Sequence, residues 1–291
     1  MIVVTGANGQ LGRHVVAGLL SALPGAQIGV SVRDPAQAED LKSRGVRVCQ
    51  GDFADPDSLT TAFDGAEQVL IISGTRLGEE ALRQHGNAIQ AAKNAGAKRI
   101  LYTSHQAASP SSAFVPARDH AATEALLQAS GVPYVSLRNG FYAESALFQL
   151  GGLAQTGTIA LPEDGPVSWT ARADLADAAV AALTRPDLFD GITPPLTGSQ
   201  AIDFAGIAQI ASELLGHTVV RETVEDGAYR SGLTSHGLPA AMVDGLFSLY
   251  TASRAGEFAV VDPTLERLLG RPPIPMKTVL NDFLSRSEPG S

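Results

Sequence analysis

Val4-Thr5-Gly6-Ala7-Asn8-Gly9-Gln10-Leu11-Gly12 is the stretch that decides the fold. The apolar run Ile2 to Thr5 before it has the character of a buried strand. After it, Leu11, Val15, Val16, Leu19 and Leu20 recur at helical spacing over Gln10 to Leu23. Between them stand three glycines, each three residues from the next. Gly6 permits a tight turn, Gly9 lets the backbone approach a pyrophosphate, and Gly12 lets the helix pack close to the strand. The helix start then offers free N–H groups and the positive end of its dipole to phosphates. This spacing differs from the G-x-G-x-x-G of most dehydrogenases, so its meaning depends on what surrounds it.

The surroundings repeat one pattern. Strands are expected at Ile28 to Val32, Val46 to Cys49, Val69 to Ile72, Ile100 to Thr103 and Tyr134 to Leu137. Asp34-Pro35 and Asp55-Pro56 each mark a helix start, with Asp as N-cap and Pro at the first helical position. Longer helices are expected from Glu79 to Ala95, closed by Gly96, and from Pro116 to Ser130, closed by Gly131. Strands apolar on both faces, separated by helices, are what a parallel sheet covered on both sides requires. The fold class is therefore α/β, a Rossmann-type doubly wound parallel sheet.

The character changes after Gly140. Gly151-Gly152, Thr156-Gly157-Thr158 and Pro162 to Pro166 are turn-rich, and Pro194 to Thr197 suggests an extended segment. Ala173 to Leu183 and Phe204 to Leu215 read as helices, the second closed by Gly216. Two or three more helices should follow, ending in a polar tail from Ser285 to Ser291. The expected organisation is a dinucleotide-binding domain over 1–140, completed by about 171–198. A smaller, mostly helical substrate region covers 141–170 and 199–291, laid over the strand C-termini.

Composition narrows the function. The 291 residues carry a formal net charge of −9, which repels a phosphate backbone and speaks against a nucleic-acid partner. The single cysteine, Cys49, excludes an internal disulfide, and no His/Cys cluster has metal-ligand spacing. No stretch approaches the ~18 apolar residues of a membrane span, and no leader peptide is evident, so a cytoplasmic location is expected.

Arg33 stands at the end of the second strand. An acidic residue there bonds a ribose 2′-OH, whereas an arginine accommodates a 2′-phosphate, so NADP(H) is favoured over NAD(H). Asp34 is better used as an N-cap. After the third strand, Gly51-Asp52-Phe53 can flank an adenine or form a plain turn with a packed ring. Ser73 and Gly74, ending the fourth strand, are small enough for a ribose to pass near the backbone.

These residues, with Ala121-Ala122-Thr123-Glu124 and Leu137-Arg138-Asn139-Gly140-Phe141-Tyr142, resemble the atypical short-chain dehydrogenase/reductases of the NmrA-like group. Within it the likeness is to the NADPH-dependent quinone and triphenylmethane-dye reductases. The resemblance implies that Gly6, Asn8, Gly9, Gln10, Leu11, Arg33, Asp52, Phe53, Ser73, Gly74, Thr103 and Ser104 line an NADP(H) cofactor. It also implies hydride transfer to a quinone or a similar small, electron-poor aromatic acceptor.

One departure matters. Short-chain dehydrogenases usually carry Tyr-x-x-x-Lys on the helix after the fifth strand. Here Pro116 holds the Tyr position and His120 the Lys position. Proline donates no proton, so carbonyl–alcohol interconversion and sugar epimerisation by the usual acid–base pair are disfavoured. An electron-poor acceptor needs little acid help, and the protein must mainly orient it and exclude water. His120 is a candidate for bonding the nicotinamide ribose or for giving a proton to a quinone oxygen, against a purely structural role. Tyr142 is a candidate for the nicotinamide side. Phe141, Tyr142, Phe148, Trp169 and Tyr250 are candidate acceptor walls between the domains, and His105 and Gln106 are polar groups that could face the acceptor. His85, His217 and His236 show no partner pattern. The alternative reading is a non-catalytic NADP(H)-sensing regulator that binds a partner protein. Either a monomer or a homodimer fits the sequence.

Overall fold

The computed structural model describes residues 1–150 and 153–287. The Gly151-Gly152 turn and the tail beyond Ser287 lie outside the described residues. The chain opens with β1 (Ile2–Thr5), α1 (Gln10–Ala22) and β2 (Ile28–Val32). A 3-10 turn, Pro35–Ala38, leads into the short α2 (Glu39–Ser43) and β3 (Arg47–Gln50). Then come α3 (Pro56–Phe63), β4 (Gln68–Ile71), α4 (Gly78–Asn94), β5 (Arg99–His105), α5 (Val115–Ser130) and β6 (Tyr134–Asn139). Beyond them lie α6 (Ala143–Leu147), α7 (Leu153–Thr156), β7 (Thr158–Leu161), α8 (Arg172–Thr184) and β8 (Gly191–Ile192). The last elements are α9 (Phe204–Leu215), β9 (Val220–Thr223), α10 (Asp226–Ser235), α11 (Ala240–Arg254), α12 (Thr264–Leu269) and α13 (Met276–Ser287).

Two compact units emerge. The first holds Met1–Pro110, Pro116–Arg138 and Arg172–Pro194, and the second holds Ser111–Val115, Asn139–Ala171 and the chain from Pro195 on.

The seven-stranded sheet has the order β3-β2-β1-β4-β5-β6-β8. β1 lies parallel between β2 and β4, with β3 parallel outside β2, β5 parallel beside β4 and β8 parallel beside β6. Every residue of β1, β2 and β5 is buried, which explains why Ile2 to Val4 and Ile100 to Tyr102 are apolar runs rather than alternations. The order reverses between β1 and β4. In open α/β sheets the ligand crevice lies beyond the strand C-termini at that switch point.

Residues 172–194 complete the first unit. α1 and α8 pack together, and a Cβ on Gly18 of α1 would fall 2.8 Å from Val180 Cγ2 of α8. Buried Arg99, at the start of β5, donates to the Ala182 and Phe189 carbonyls, both at 2.8 Å. It thereby satisfies a helix C-terminus with a cation, the favourable sign for the dipole.

The second unit has an aromatic interior. Phe114, Phe141 and Phe258 pack with ring centroids 5.3–5.4 Å apart, Trp169 joins at 5.3 Å and Phe204 follows at 5.8 Å.

Four expectations need correction. The second unit contains a two-stranded parallel sheet, β7 with β9, whose four-residue strands are too short to stand out in the sequence. The sheet of the first unit has a seventh strand, β8, which at two residues is too short to leave a pattern. The extended reading of Pro194 to Thr197 stands, since Leu196 forms a parallel bridge with Asn139 and its carbonyl accepts the Gly140 N–H at 2.8 Å. Among the described residues four helices follow α9, because prolines at 239, 263 and 275 restart the chain more often than the spacing suggested. The Asp34-Pro35 start is real, since Asp34 accepts from the Ala36 N–H, but it opens a 3-10 turn before any α-helix.

Candidate active site

The turn between β1 and α1 sits at the switch point. Gly6 has φ +62°, a left-handed conformation that costs other residues free energy. The Gly9 N–H donates to the Gly6 carbonyl at 2.9 Å and closes the turn. A Cβ on Gly12 would lie 2.3 Å from the Gly6 oxygen and 2.8 Å from Ala7 Cα, so helix and turn touch backbone to backbone. Gly9 is the N-cap of α1; no side chain caps this helix and no acidic residue occupies its first turn. Its first amides are left for an anion. Leu11 is buried, so its side chain belongs to the core. The Gln10 side chain is engaged at 2.6 Å by Arg172, from the start of α8.

Two arginines flank the turn. Asn8 Nδ2 donates to the Asp34 carbonyl at 3.1 Å, tying the turn to the residue after Arg33. Arg13 Nε donates to the Asn8 carbonyl at 3.0 Å. Arg33 is exposed and has no ion pair among the described residues. A solvated guanidinium beside uncapped amides suits a phosphate dianion.

Threonine hydroxyls carry the sheet past its strand ends. Thr5 Oγ1 accepts the Ile72 N–H and Thr103 Oγ1 accepts the Ser73 N–H, both at 2.9 Å. Ser73 Oγ lies 3.2 Å from Thr103 Oγ1. Gly74 is exposed, with open space where a side chain would be. Asp52 is half-buried and accepts the Ala54 N–H through Oδ1 at 2.9 Å, so it shapes its own turn. Phe53 is half-buried, edge-on to His85 with centroids 6.3 Å apart. Ser104 is held elsewhere, donating to buried Glu124 at 2.8 Å. Glu124 also accepts from Ser136 at 2.9 Å and forms a fork with Arg138, its shortest contact 2.7 Å. That carboxylate is fully compensated inside the first unit.

His120 joins a column of rings. Its Nδ1 is 2.7 Å from the Tyr102 hydroxyl, and its ring stacks on His105 at 6.1 Å. Burial holds its pKa well below the ordinary range, and neighbouring His105 and His85 push in the same direction. Burial also takes His105 down to about 3 and His85 to about 4. All three imidazoles are therefore neutral at pH 7. A neutral His120 can donate or accept a hydrogen bond but carries no excess proton to give.

His105 ends β5 and Gln106 follows it, both buried, and His105 Nδ1 accepts the Ala107 N–H at 3.2 Å. Tyr142 lies in the second unit, half-buried at the N-cap of α6. Phe141 belongs to the aromatic interior. Two candidate walls prove to be core: Trp169 donates its indole N–H to the Ile202 carbonyl at 3.1 Å, and Tyr250 is fully buried against Tyr229. Phe148 is 74% exposed. Sequence reading missed Arg172 and His85, because their partners lie far away along the chain. Among the described residues no acidic or imidazole cluster could hold a metal ion, and no helix is long and apolar enough to cross a membrane.

A family model described as NAD(P)H-binding matches residues 6–186. The chain belongs to this NAD(P)H-binding family, in its NmrA-like group. It is 35% identical to quinone oxidoreductase 2 of Escherichia coli over 275 residues, 94% of each chain. A solved structure of an NADPH-dependent quinone oxidoreductase from Escherichia coli, complexed with NADPH, superposes with TM-score 0.91 at 33% identity, covering 98% of this chain and 100% of the other. The triphenylmethane reductase of Citrobacter sp. complexed with NADP(H) gives 0.88 at 34% identity, covering 97% and 99%.

Proposed function

We propose that this chain uses NADPH to reduce a quinone or a comparable flat, electron-poor aromatic acceptor. The observation that carries the reading is the uncapped start of α1 at the sheet's switch point, with unpaired Arg33 beside it. The activities named for its relatives, quinone and triphenylmethane reduction, support the choice of acceptor class.

The amides of the Gly6–Gly12 turn would hold the pyrophosphate and Arg33 the 2′-phosphate. Asp52 and Phe53 flank the adenine end, while Ser73 and Gly74 leave room for the ribose. The bound dinucleotide supplies a hydride. A quinone that takes this hydride and one proton leaves as hydroquinone. Pro116 removes the tyrosine acid, and neutral His120 fits a hydrogen bond to a ribose hydroxyl, so the proton comes from water. Tyr142 is assigned to the acceptor side. A cytoplasmic protein acting as monomer or homodimer belongs to the same proposal.

The test follows NADPH absorbance with benzoquinone, naphthoquinone, a triphenylmethane dye and an aldehyde. Turnover of the quinones or the dye is expected. Turnover of the aldehyde alone would overturn the reading, and tight NADPH binding with no turnover would favour a regulator that senses the cofactor.

A further inference from the structure

The loop from Ser73 to Gly78, between β4 and α4, is held at two points by a buried side-chain relay. At its far end the Gly78 N–H donates to Asp119 Oδ2 of α5 at 2.8 Å. At its near end the Gly74 N–H donates to His85 Nε2 at 3.4 Å. His85 Nδ1 lies 3.0 Å from Thr123 Oγ1, and that hydroxyl donates to the Asp119 carbonyl at 2.8 Å.

These contacts fix the tautomer. Thr123 has one hydroxyl proton and gives it to Asp119, so it can only accept from His85. His85 must carry its proton on Nδ1, leaving Nε2 as the lone-pair acceptor that Gly74 needs. The imidazole is buried, with Tyr102 of β5 edge-on at 5.3 Å and Phe53 edge-on at 6.3 Å. The titratable groups around it are Tyr102 on β5 and Asp119 and His120 on α5. Asp119 reaches it only through Thr123, so no carboxylate pairs with the ring to favour its charged form.

We propose that His85, kept in one tautomer by Thr123, is a positioning residue that holds the Ser73–Gly74 backbone in the conformation the dinucleotide needs. Asp119 anchors the other end of the same loop. The inference rests on the reading of this crevice as the cofactor site. Histidine supplies both functions the position uses, a donor toward α5 and an acceptor toward Gly74, on one rigid ring. Glutamine keeps an acceptor that can reach Gly74. Leucine keeps bulk and removes both functions.

The experiment compares wild type, His85→Leu, His85→Gln and Thr123→Val by amide hydrogen exchange without cofactor and by equilibrium titration with NADPH. His85→Leu should lose protection at Gly74 through Gly78 while β4 and β5 stay protected, and should weaken NADPH about tenfold, the value of one lost hydrogen bond. His85→Gln should recover most of both. Thr123→Val, which frees the ring to adopt the other tautomer, should shift both readouts in the same direction by less. If His85→Leu does not fold, the contrast between His85→Gln and Thr123→Val decides. Wild-type exchange and affinity in the folded variants, or a loss of protection spread over the whole sheet, would overturn the proposal. A wild-type protein that binds no NADPH would instead sink the proposed function, leaving the exchange pattern as a separate result.

Discussion

Two strand-to-helix junctions leave the same end of the same sheet and are built in opposite ways. After β3, the chain caps α3 with its own carboxylate: Asp55 accepts the Asp57 and Ser58 N–H groups, Pro56 opens the helix, and Asp57 adds a charge to the first turn. After β1, the chain places Gly9 at the cap, no carboxylate in the first turn and no side-chain bond at all. The first junction satisfies its amides internally and is finished as a piece of structure. The second leaves donors open and puts an unpaired arginine next to them. Other helices also begin without a side-chain cap, α11 with no first-turn acid either, so what singles out the start of α1 is its glycine turn at the sheet's switch point with Arg33 beside it.

Adding a methyl group at the open junction should have the largest effect. Gly12→Ala drives a Cβ into the Gly6 carbonyl and Ala7, which are backbone atoms and cannot swing aside. NADPH affinity should fall about a hundredfold, the value of two lost charge-assisted hydrogen bonds. A titration showing wild-type affinity would mean that the turn is not the phosphate cradle.

Making the open junction resemble the closed one sharpens the comparison. The Gly9 backbone, φ −76° and ψ 166°, is allowed to any residue, so Gly9→Asp installs an N-cap like Asp55. The cap is worth up to about 1 kcal/mol, but the new Cβ would lie 3.2 Å from the Gly6 backbone oxygen, so apo stability should change by less than about 1 kcal/mol. NADPH should weaken more than about tenfold, because a carboxylate now occupies and repels at the phosphate position. The mirror change, Asp55→Ala, should cost about 1 kcal/mol and leave NADPH affinity within about threefold. Thermal melts and titrations of both variants read this trade; a pair behaving alike would erase the contrast.

The junctions differed in legibility too. The glycine turn, its flanking strand and helix, and both Asp-Pro caps could be read from local spacing, because each acts within a few residues. The relay through His85 could not. Its partners are Gly74, 11 residues away, and Thr123, 38 residues away, and they meet only because α4 and α5 are brought together by the sheet. Trp169 and Tyr250 failed as acceptor walls for a related reason. An aromatic residue in sequence gives no sign of whether its polar atom is satisfied inside, as Trp169 is by Ile202 and Tyr250 by Tyr229 and Gln149. β8 was invisible because two residues have no period.

A smaller effect should appear in the pH dependence of stability. His85 and His105 are held neutral in the folded state, at about 4 and about 3, against 6.5 in the unfolded chain. Their pKa values are depressed, so below pH 6.5 the unfolded chain binds protons that the folded one refuses. Stability is therefore complete above pH 6.5 and falls as pH drops, by up to about 1.4 kcal/mol per pH unit for each histidine. Denaturant melts between pH 6.5 and pH 4 should show a shallower slope in His85→Gln than in wild type. Identical slopes would mean that His85 titrates freely.

The most direct test of the open junction is a calorimetric titration of wild type and Arg33→Ala with NADPH and with NADH. Wild type should prefer NADPH by about tenfold or more, and Arg33→Ala should lose that preference while its NADH affinity hardly changes. Equal losses for both dinucleotides, or an undiminished preference, would contradict the assignment of the 2′-phosphate to Arg33 and with it the account of why α1 begins uncapped.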